Sequence, residues 1–185
     1  LLPILVTGGI HMDGFCDVCD ALASHQSRER KLEILKDSRV GAFAVLGCVC
    51  YLLALFGLWC EVKIPDSEML CAVLLLPLYS RCLSGWGALR LPNARGDGML
   101  SAVTGTGFPW SLVLGGVLCV LALGALNPWY LLSAAAGLAV YFYYKHTALK
   151  EFGGVTGDLA GWFLQLCELG CLAGLVLAQR LEAVL

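Results

Sequence analysis

The sequence predicts an all-α fold: a multi-pass transmembrane helical bundle with about five to six spans. Hydrophobic residues make up 59% of the 185 residues, and the mean hydropathy is +0.79. Only 14% of the residues are charged, whereas soluble domains carry about 25%. Long uncharged runs alternate with short polar segments, which indicates a single integral-membrane domain over residues 1–185 in a lipid bilayer. The net charge of −2 gives no reason to expect a nucleic-acid partner.

The spans follow from the uncharged runs. The chain opens with the apolar run LLPILV and has no basic segment typical of a signal peptide. We interpret residues 1–6 as the end of an earlier span and expect the N-terminal part of the protein to be missing. The remaining spans are expected at residues 41–60, 69–89, 110–126, 129–144 and 159–179. A polar turn over 61–68 and the Asn127-Pro128 turn separate neighbouring spans.

Basic residues lie mainly in three polar segments, residues 7–41, 90–109 and 145–158. Nine bases fall on this predicted side of the membrane, and two, Lys63 and Arg180, fall on the other. This bias predicts that the three segments are cytoplasmic. The polar chemistry of the chain is therefore expected on the side where nucleotides and phosphates are found.

Three aspartates, Asp13, Asp17 and Asp20, begin the most charged segment, with spacings of four and three. On a helix this spacing places the three carboxylates on one face. Such a cluster is repulsive unless a cation lies among the carboxylates, and Mg²⁺ bound to a phosphorylated substrate is the simplest candidate. His11 is a candidate ligand or acid–base group, with an interfacial structural histidine as the alternative. The nearby glycines allow close approach of either a ligand or another helix.

The stretch RERKLEILKDSR is an amphipathic helix candidate, and its bases are candidates for phosphate binding. These bases are Arg28, Arg30, Lys36 and Arg39. Glu33 and Asp37 are either further metal ligands or partners of the bases. A helix on the membrane surface with solvated charges is the alternative interpretation.

Two further polar features lie later in the chain. Arg81 is placed midway along a span, where an ionisable side chain usually has a partner, and Glu168 is the candidate partner. The turn GGVTGD brings Gly153, Gly154 and Thr156 to the start of a helix, where backbone N–H groups can bind phosphate. Asp158 is either a helix cap or a further metal ligand.

These blocks, in this order, resemble the cobalamin (5′-phosphate) synthase family, the adenosylcobinamide-GDP ribazoletransferases. The resemblance rests on TGGIHMDGFCDVCD, on RxRxLEILKDSRVG, on Ser80-Arg81, and on GGVTGD with Glu168 ten residues after its aspartate. It covers nearly all of the chain. The two N-terminal blocks are long and specific.

The resemblance implies a multi-pass, Mg²⁺-dependent phosphotransferase of the cell inner membrane. It would join adenosylcobinamide-GDP to α-ribazole or its 5′-phosphate and release GMP. The three clustered aspartates of the first charged segment, with Asp37 and Asp158, would hold Mg²⁺ against the diphosphate, and the bases would stabilise phosphate oxygens. A carboxylate or His11 would take the proton of the acceptor hydroxyl.

Two other interpretations remain at this point. One is another membrane transferase acting on a diphosphate, of the CDP-alcohol phosphotransferase or prenyltransferase type. The sequence lacks DGxxAR followed by GxxxDxxxD, and it has one compact aspartate-rich segment, which both count against this interpretation. The other is a cation or metabolite transporter, whose polar site is expected near the middle of the membrane.

Overall fold

The computed structural model describes residues 2–95 and 109–184, and these are helical for most of their length. The polar segment expected at 90–109 therefore lies largely outside the described residues. The α-helices are α1 (Leu2–Val6), α2 (Ile10–Ala23), α3 (Arg28–Ile34), α4 (Ala42–Glu61), α5 (Ser67–Arg90), α6 (Trp110–Leu126), α7 (Leu131–Thr147) and α8 (Gly157–Glu182).

The five expected spans correspond to α4 through α8. Three of these helices, α4, α5 and α8, are long and apolar enough to cross a membrane. Helices α6 and α7 have 17 residues each, the lower end of the length needed to span a bilayer. A short 3₁₀ turn, Pro128–Tyr130, precedes α7, and a π-helical turn, Ala148–Phe152, extends it. The chain is a helical membrane bundle, as its sequence predicts.

Helix α8 lies at the centre of the bundle and α4 at its edge. In the most apolar stretch of α8, 61% of the residues are buried inside the protein, against 11% in α4. Helix α8 packs along α7 and α2 and also contacts α5 and α4. An exposed apolar helix such as α4 is stable in lipid rather than in water.

Glycines allow α2 and α8 to approach closely. A Cβ atom on Gly14 would lie 2.8 Å from the Asp158 Cα, and one on Gly161 would lie 3.1 Å from the His11 Cα. Small residues at such contacts are typical of helix packing in membranes. At the start of α2, Gly8 and Gly9 have φ angles of 62° and 80°, which side chains disfavour, and they separate α2 from α1.

The three basic segments meet at one end of the bundle. The Arg28 guanidinium donates to the carbonyl oxygens of Leu149 and Lys150, both at 3.3 Å. Lys31, buried at 5% exposure, pairs with Glu151. The Arg95 side chain donates to the Leu35 carbonyl at 3.2 Å. The grouping of these segments on one side, expected from the charge bias, is therefore confirmed for their described residues.

Candidate active site

Two helices bring carboxylates together at this end of the bundle. Helix α2 carries an exposed Asp13 and a half-buried Asp17 on the face that the spacing predicts. The first turn of α8 adds Asp158, and the close approach at Gly14 places it beside α2. The cap of α8 is Thr156, whose hydroxyl accepts from the Leu159 N–H at 3.2 Å. Asp158 is therefore not the capping residue and is available to the site.

The pKa of Asp17 reflects the proximity of the other carboxylates. Burial, followed by the negative charges of Asp13, Asp158 and Asp20, raises the pKa of Asp17 to about 6. Arg95 acts in the opposite direction. A carboxylate surrounded by others in this way retains a proton more readily than an isolated one, and a cation would relieve the repulsion.

Arg95 is part of this site, although its sequence position indicated only the orientation of the chain. One of its terminal nitrogens lies 2.9 Å from the Asp158 Oδ2 atom and also contacts the Leu35 carbonyl. The backbone around Arg95 is held by a parallel bridge between Asn93 and Val155. In the sequence, this contact was indicated only by the charge bias, which predicted that the loop of Arg95 and the start of α8 lie on the same side of the membrane.

Asp20 has a role in the structure that its spacing did not indicate. Its Oδ2 atom accepts from the Gly41 N–H at 2.6 Å and its Oδ1 atom from the Ala44 N–H at 2.8 Å. These N–H groups belong to the start of α4, where a carboxylate stabilises the unpaired donors and the helix dipole. Both oxygens are engaged, so metal binding by Asp20 stays a prediction that competes with this contact.

The bases predicted to bind phosphate mostly contact groups of the protein itself. Arg30 pairs with Glu33 and Arg39 with Asp37, each at 2.6 Å, while Arg28 binds the two carbonyls of the π-helical turn. The hydrogen bond from Arg39 lowers the pKa of Asp37 to about 2. Glu33 and Asp37 were interpreted either as metal ligands or as partners of the bases, and the structure shows them as partners of the bases. Phosphate binding by these bases, with the exposed Lys36, stays a prediction, as does a catalytic role for Asp37.

The glycine-rich turn uses its own N–H groups. The N–H groups of Gly153 and Gly154 both donate to the Ala148 carbonyl, and that of Val155 donates to the Pro92 carbonyl at 2.8 Å. Gly153 has a left-handed φ of 78°, and a Cβ atom on Gly154 would lie 2.2 Å from the Pro92 oxygen. The turn therefore docks the start of α8 on the Pro92 loop. Phosphate binding by Gly153, Gly154 and Thr156 stays a prediction. It would need donors other than the three N–H groups that already bind carbonyls.

His11 faces a second polar group deeper in the bundle. The structure pairs Arg81 with Glu168, as the sequence suggested, and the Ser80 hydroxyl lies 3.3 Å from the same Glu168 oxygen. Burial lowers the pKa of His11, the charge of Arg81 lowers it further, and Glu168 partly offsets both. A neutral imidazole is favoured in this position and is able to accept a proton.

The donor chemistry of the site fits a hard divalent cation shared with a substrate. Among the described residues, no group of three or more His, Cys, Asp or Glu side chains is arranged to enclose a metal ion by itself. Mg²⁺ usually takes one or two carboxylates and fills its other positions with water and substrate phosphates. Asp13, Asp17 and Asp158 supply oxygen donors of this kind.

The fold and the site together define a polytopic membrane protein with a carboxylate cluster at one end of its helices. The family model described as cobalamin-5-phosphate synthase matches residues 1–176. Similar proteins named adenosylcobinamide-GDP ribazoletransferase occur in several bacteria. The Lachnoclostridium phytofermentans protein is 37% identical over 183 residues, which are 96% of this chain and 69% of the relative. The chain belongs to the cobalamin-5-phosphate synthase family.

Other relatives carry the same name. The Clostridium perfringens protein is 36% identical over 172 residues, 90% of this chain and 68% of the relative. The Listeria monocytogenes protein is 33% identical over 177 residues, 94% of this chain and 70% of the relative. No solved structure matches the chain. The chain is thus a transferase of cobalamin synthesis, and the other two interpretations, a different diphosphate transferase and a transporter, lose their support.

Proposed function

We propose that the chain transfers adenosylcobinamide phosphate from adenosylcobinamide-GDP to α-ribazole or α-ribazole 5′-phosphate. The supporting observation is the carboxylate cluster of α2 and α8 at the end of the bundle where the basic segments meet, in a chain whose relatives are named for this reaction. In this reaction the acceptor hydroxyl oxygen bonds to the corrinoid-side phosphorus. The bond from that phosphorus to the bridging oxygen breaks, GMP leaves, and the hydroxyl proton passes to a base.

Mg²⁺ is the cofactor in this proposal, with Asp13, Asp17 and Asp158 as the residues that would hold it. When bound, the ion neutralises charge on the diphosphate. Arg95 orients Asp158 through its 2.9 Å contact and reduces the repulsion among the carboxylates. Because the carboxylates are already positioned in a partly buried site, their surroundings need little rearrangement when the reaction begins.

The proton of the acceptor hydroxyl has two candidate acceptors. A carboxylate of the cluster is one, and neutral His11 is the other. They differ in position, because the charge interactions of His11 are with Arg81 and Glu168 rather than with the aspartates. A His11→Gln variant that loses turnover while it still binds Mg²⁺ would assign the proton to His11.

The membrane orientation is a further part of the proposal. Nine bases against two favour an inner-membrane protein whose carboxylate site faces the cytoplasm. The contacts among Arg28, Lys31, Arg95 and the 149–158 segment support a single polar end. A substrate carrying a nucleotide would reach that end without crossing the bilayer.

The experiment is GMP release from adenosylcobinamide-GDP with α-ribazole in membranes that contain the protein. We expect release that requires both Mg²⁺ and the acceptor, and that chelation removes reversibly. Release without an acceptor would indicate hydrolysis. No release from folded protein with either acceptor would contradict the proposed function.

A further inference from the structure

An apolar groove between α5, α6 and α7 is separate from the carboxylate site. It encloses about 540 Å³, within the range of about 300–1,000 Å³ typical of small-molecule sites. Six of the residues that line it represent its three walls: Leu83, Trp86, Gly116, Val120, Tyr141 and Phe142. None of the carboxylates of the candidate active site lies in its wall.

One end of this groove is cationic. Lys145 lines the groove, and together with Phe142 it also lines an adjoining cavity of about 450 Å³ that contains His146 and Lys150. The Arg90 guanidinium stacks on the ring of Trp86, 5.2 Å from the ring centroid. Within the described part of the chain, the Lys145 amine forms no ion pair, which means that no carboxylate oxygen lies within 4.0 Å of it.

The two cations belong to the same end of the bundle. Arg90 ends α5 and Lys145 lies near the end of α7. A Cβ atom on Gly87 would lie 3.0 Å from a ring carbon of Tyr144, so the last turns of these two helices are in contact. This is the end at which the basic segments meet.

A second groove provides a comparison within the same molecule. It lies between α4, α7 and α8, encloses about 760 Å³, and is lined almost entirely by apolar atoms. Its charged lining residue is Glu61, which pairs with Arg180. Any lipid chain can fill either groove, but among the described residues the first groove alone is lined by a cation without an ion pair, namely Lys145.

We propose that the groove between α5, α6 and α7 is a binding site for an anionic phospholipid. One acyl chain lies along the apolar wall, and the phosphate lies beside the Lys145 amine at the end of the groove. Basic side chains at the membrane surface each favour anionic lipid by about 1 kcal/mol, and long cationic side chains reach the headgroup level while their stems stay in the apolar region. The partner is a lipid of the leaflet that borders the carboxylate site.

The test is lipid retention by the purified full chain in native mass spectrometry. The protein is offered equal amounts of phosphatidylglycerol and phosphatidylcholine with identical acyl chains. We expect phosphatidylglycerol to be retained about fivefold or more over phosphatidylcholine, the factor that corresponds to about 1 kcal/mol. Lys145→Gln should remove most of this preference, and Lys145→Arg should keep it.

A second pair of variants tests the groove itself. Gly116 has little around it apart from the Cys82 Cβ atom, 3.7 Å from where its own Cβ would be, so Gly116→Leu fills the groove and should reduce retention of both lipids. Gly57→Leu is the matched control, because Gly57 lines the other groove and has nothing within 4 Å. Circular dichroism checks that both variants fold.

Equal retention of the two lipids by the wild-type protein would overturn the proposal. So would an unchanged preference in Lys145→Gln, a variant at an exposed side chain that leaves the apolar packing intact. If Gly116→Leu fails to fold, the variants Lys145→Gln and Lys145→Arg still test the proposal. The assay contains no corrinoid substrate, so its outcome is independent of the transferase reaction.

Discussion

Two highly charged stretches follow one another in the chain, and their charges are used differently. In α2, Asp17 lies among other carboxylates and its pKa is raised to about 6. In residues 28–39, Glu33 and Asp37 each pair with a base, and the hydrogen bond from Arg39 lowers the pKa of Asp37 to about 2. Repulsion at α2 that Arg95 relieves only in part indicates a place for a cation, whereas the paired charges in residues 28–39 stabilise the local structure. Charge density alone does not distinguish a site from a surface.

The largest effect is expected on turnover, and its absence would contradict the comparison between the two stretches. Asp17→Asn should lower turnover by about 10²-fold or more, the size of effect seen when one electrostatic group of an active site is removed. Asp37→Asn is the matched control, and it should change turnover far less because Arg39 already engages both carboxylate oxygens. GMP release measures both variants. Equal losses would mean that Asp37 also belongs to the catalytic site.

The next effect concerns how α3 is held on the π-helical turn. Glu151→Gln removes the charged partner of Lys31, whose side chain is 7% exposed. An unpaired buried amine is costly, so we expect a loss of about 1 kcal/mol, or a decrease in Tm of roughly 2–4 °C. Lys31→Met with Glu151→Gln should recover part of the loss, since no charge remains buried. A Tm unchanged by Glu151→Gln alone would show that the pair is not structural.

The protonation of Asp17 gives a smaller effect on stability. The carboxyl binds its proton more tightly in the folded state, because its pKa is about 6 instead of 3.8. Its stabilising contribution is complete below about pH 4 and is lost as the pH rises through about 6. In buffer without Mg²⁺, the Tm of the wild-type protein should therefore fall relative to that of Asp17→Asn between about pH 4 and pH 6 and should level off at higher pH. A constant difference between the two proteins would contradict the raised pKa.

The smallest effect is expected on the exposed face of α3. The Arg30 and Glu33 side chains are 63% and 64% exposed, and such pairs contribute about 0.3–0.5 kcal/mol. Glu33→Gln should thus shift the Tm by about 1 °C or less. A decrease as large as that of Glu151→Gln would show that the outer face of α3 has a partner of its own.

The sequence alone predicted the features that depend on local composition. Helices α4 to α8 follow from apolar runs of sufficient length, since lipid requires backbone hydrogen bonds to close within a segment. The common face of Asp13 and Asp17 follows from helical periodicity. The pairing of Arg81 with Glu168 was also accessible, because a charge inside a span needs a partner and the chain offers few.

Only the tertiary structure decided which polar groups are free. Asp17 and Asp20 look equivalent in the sequence, yet Asp20 is engaged by the start of α4 while Asp17 faces Asp158. The glycine-rich turn resembles a phosphate loop, but the N–H groups of Gly153, Gly154 and Val155 bind carbonyls of the protein. Arg95 enters the site through a contact with a residue 63 positions away in the chain. These assignments depend on hydrogen bonds between distant segments, and such bonds form only after the helices have packed.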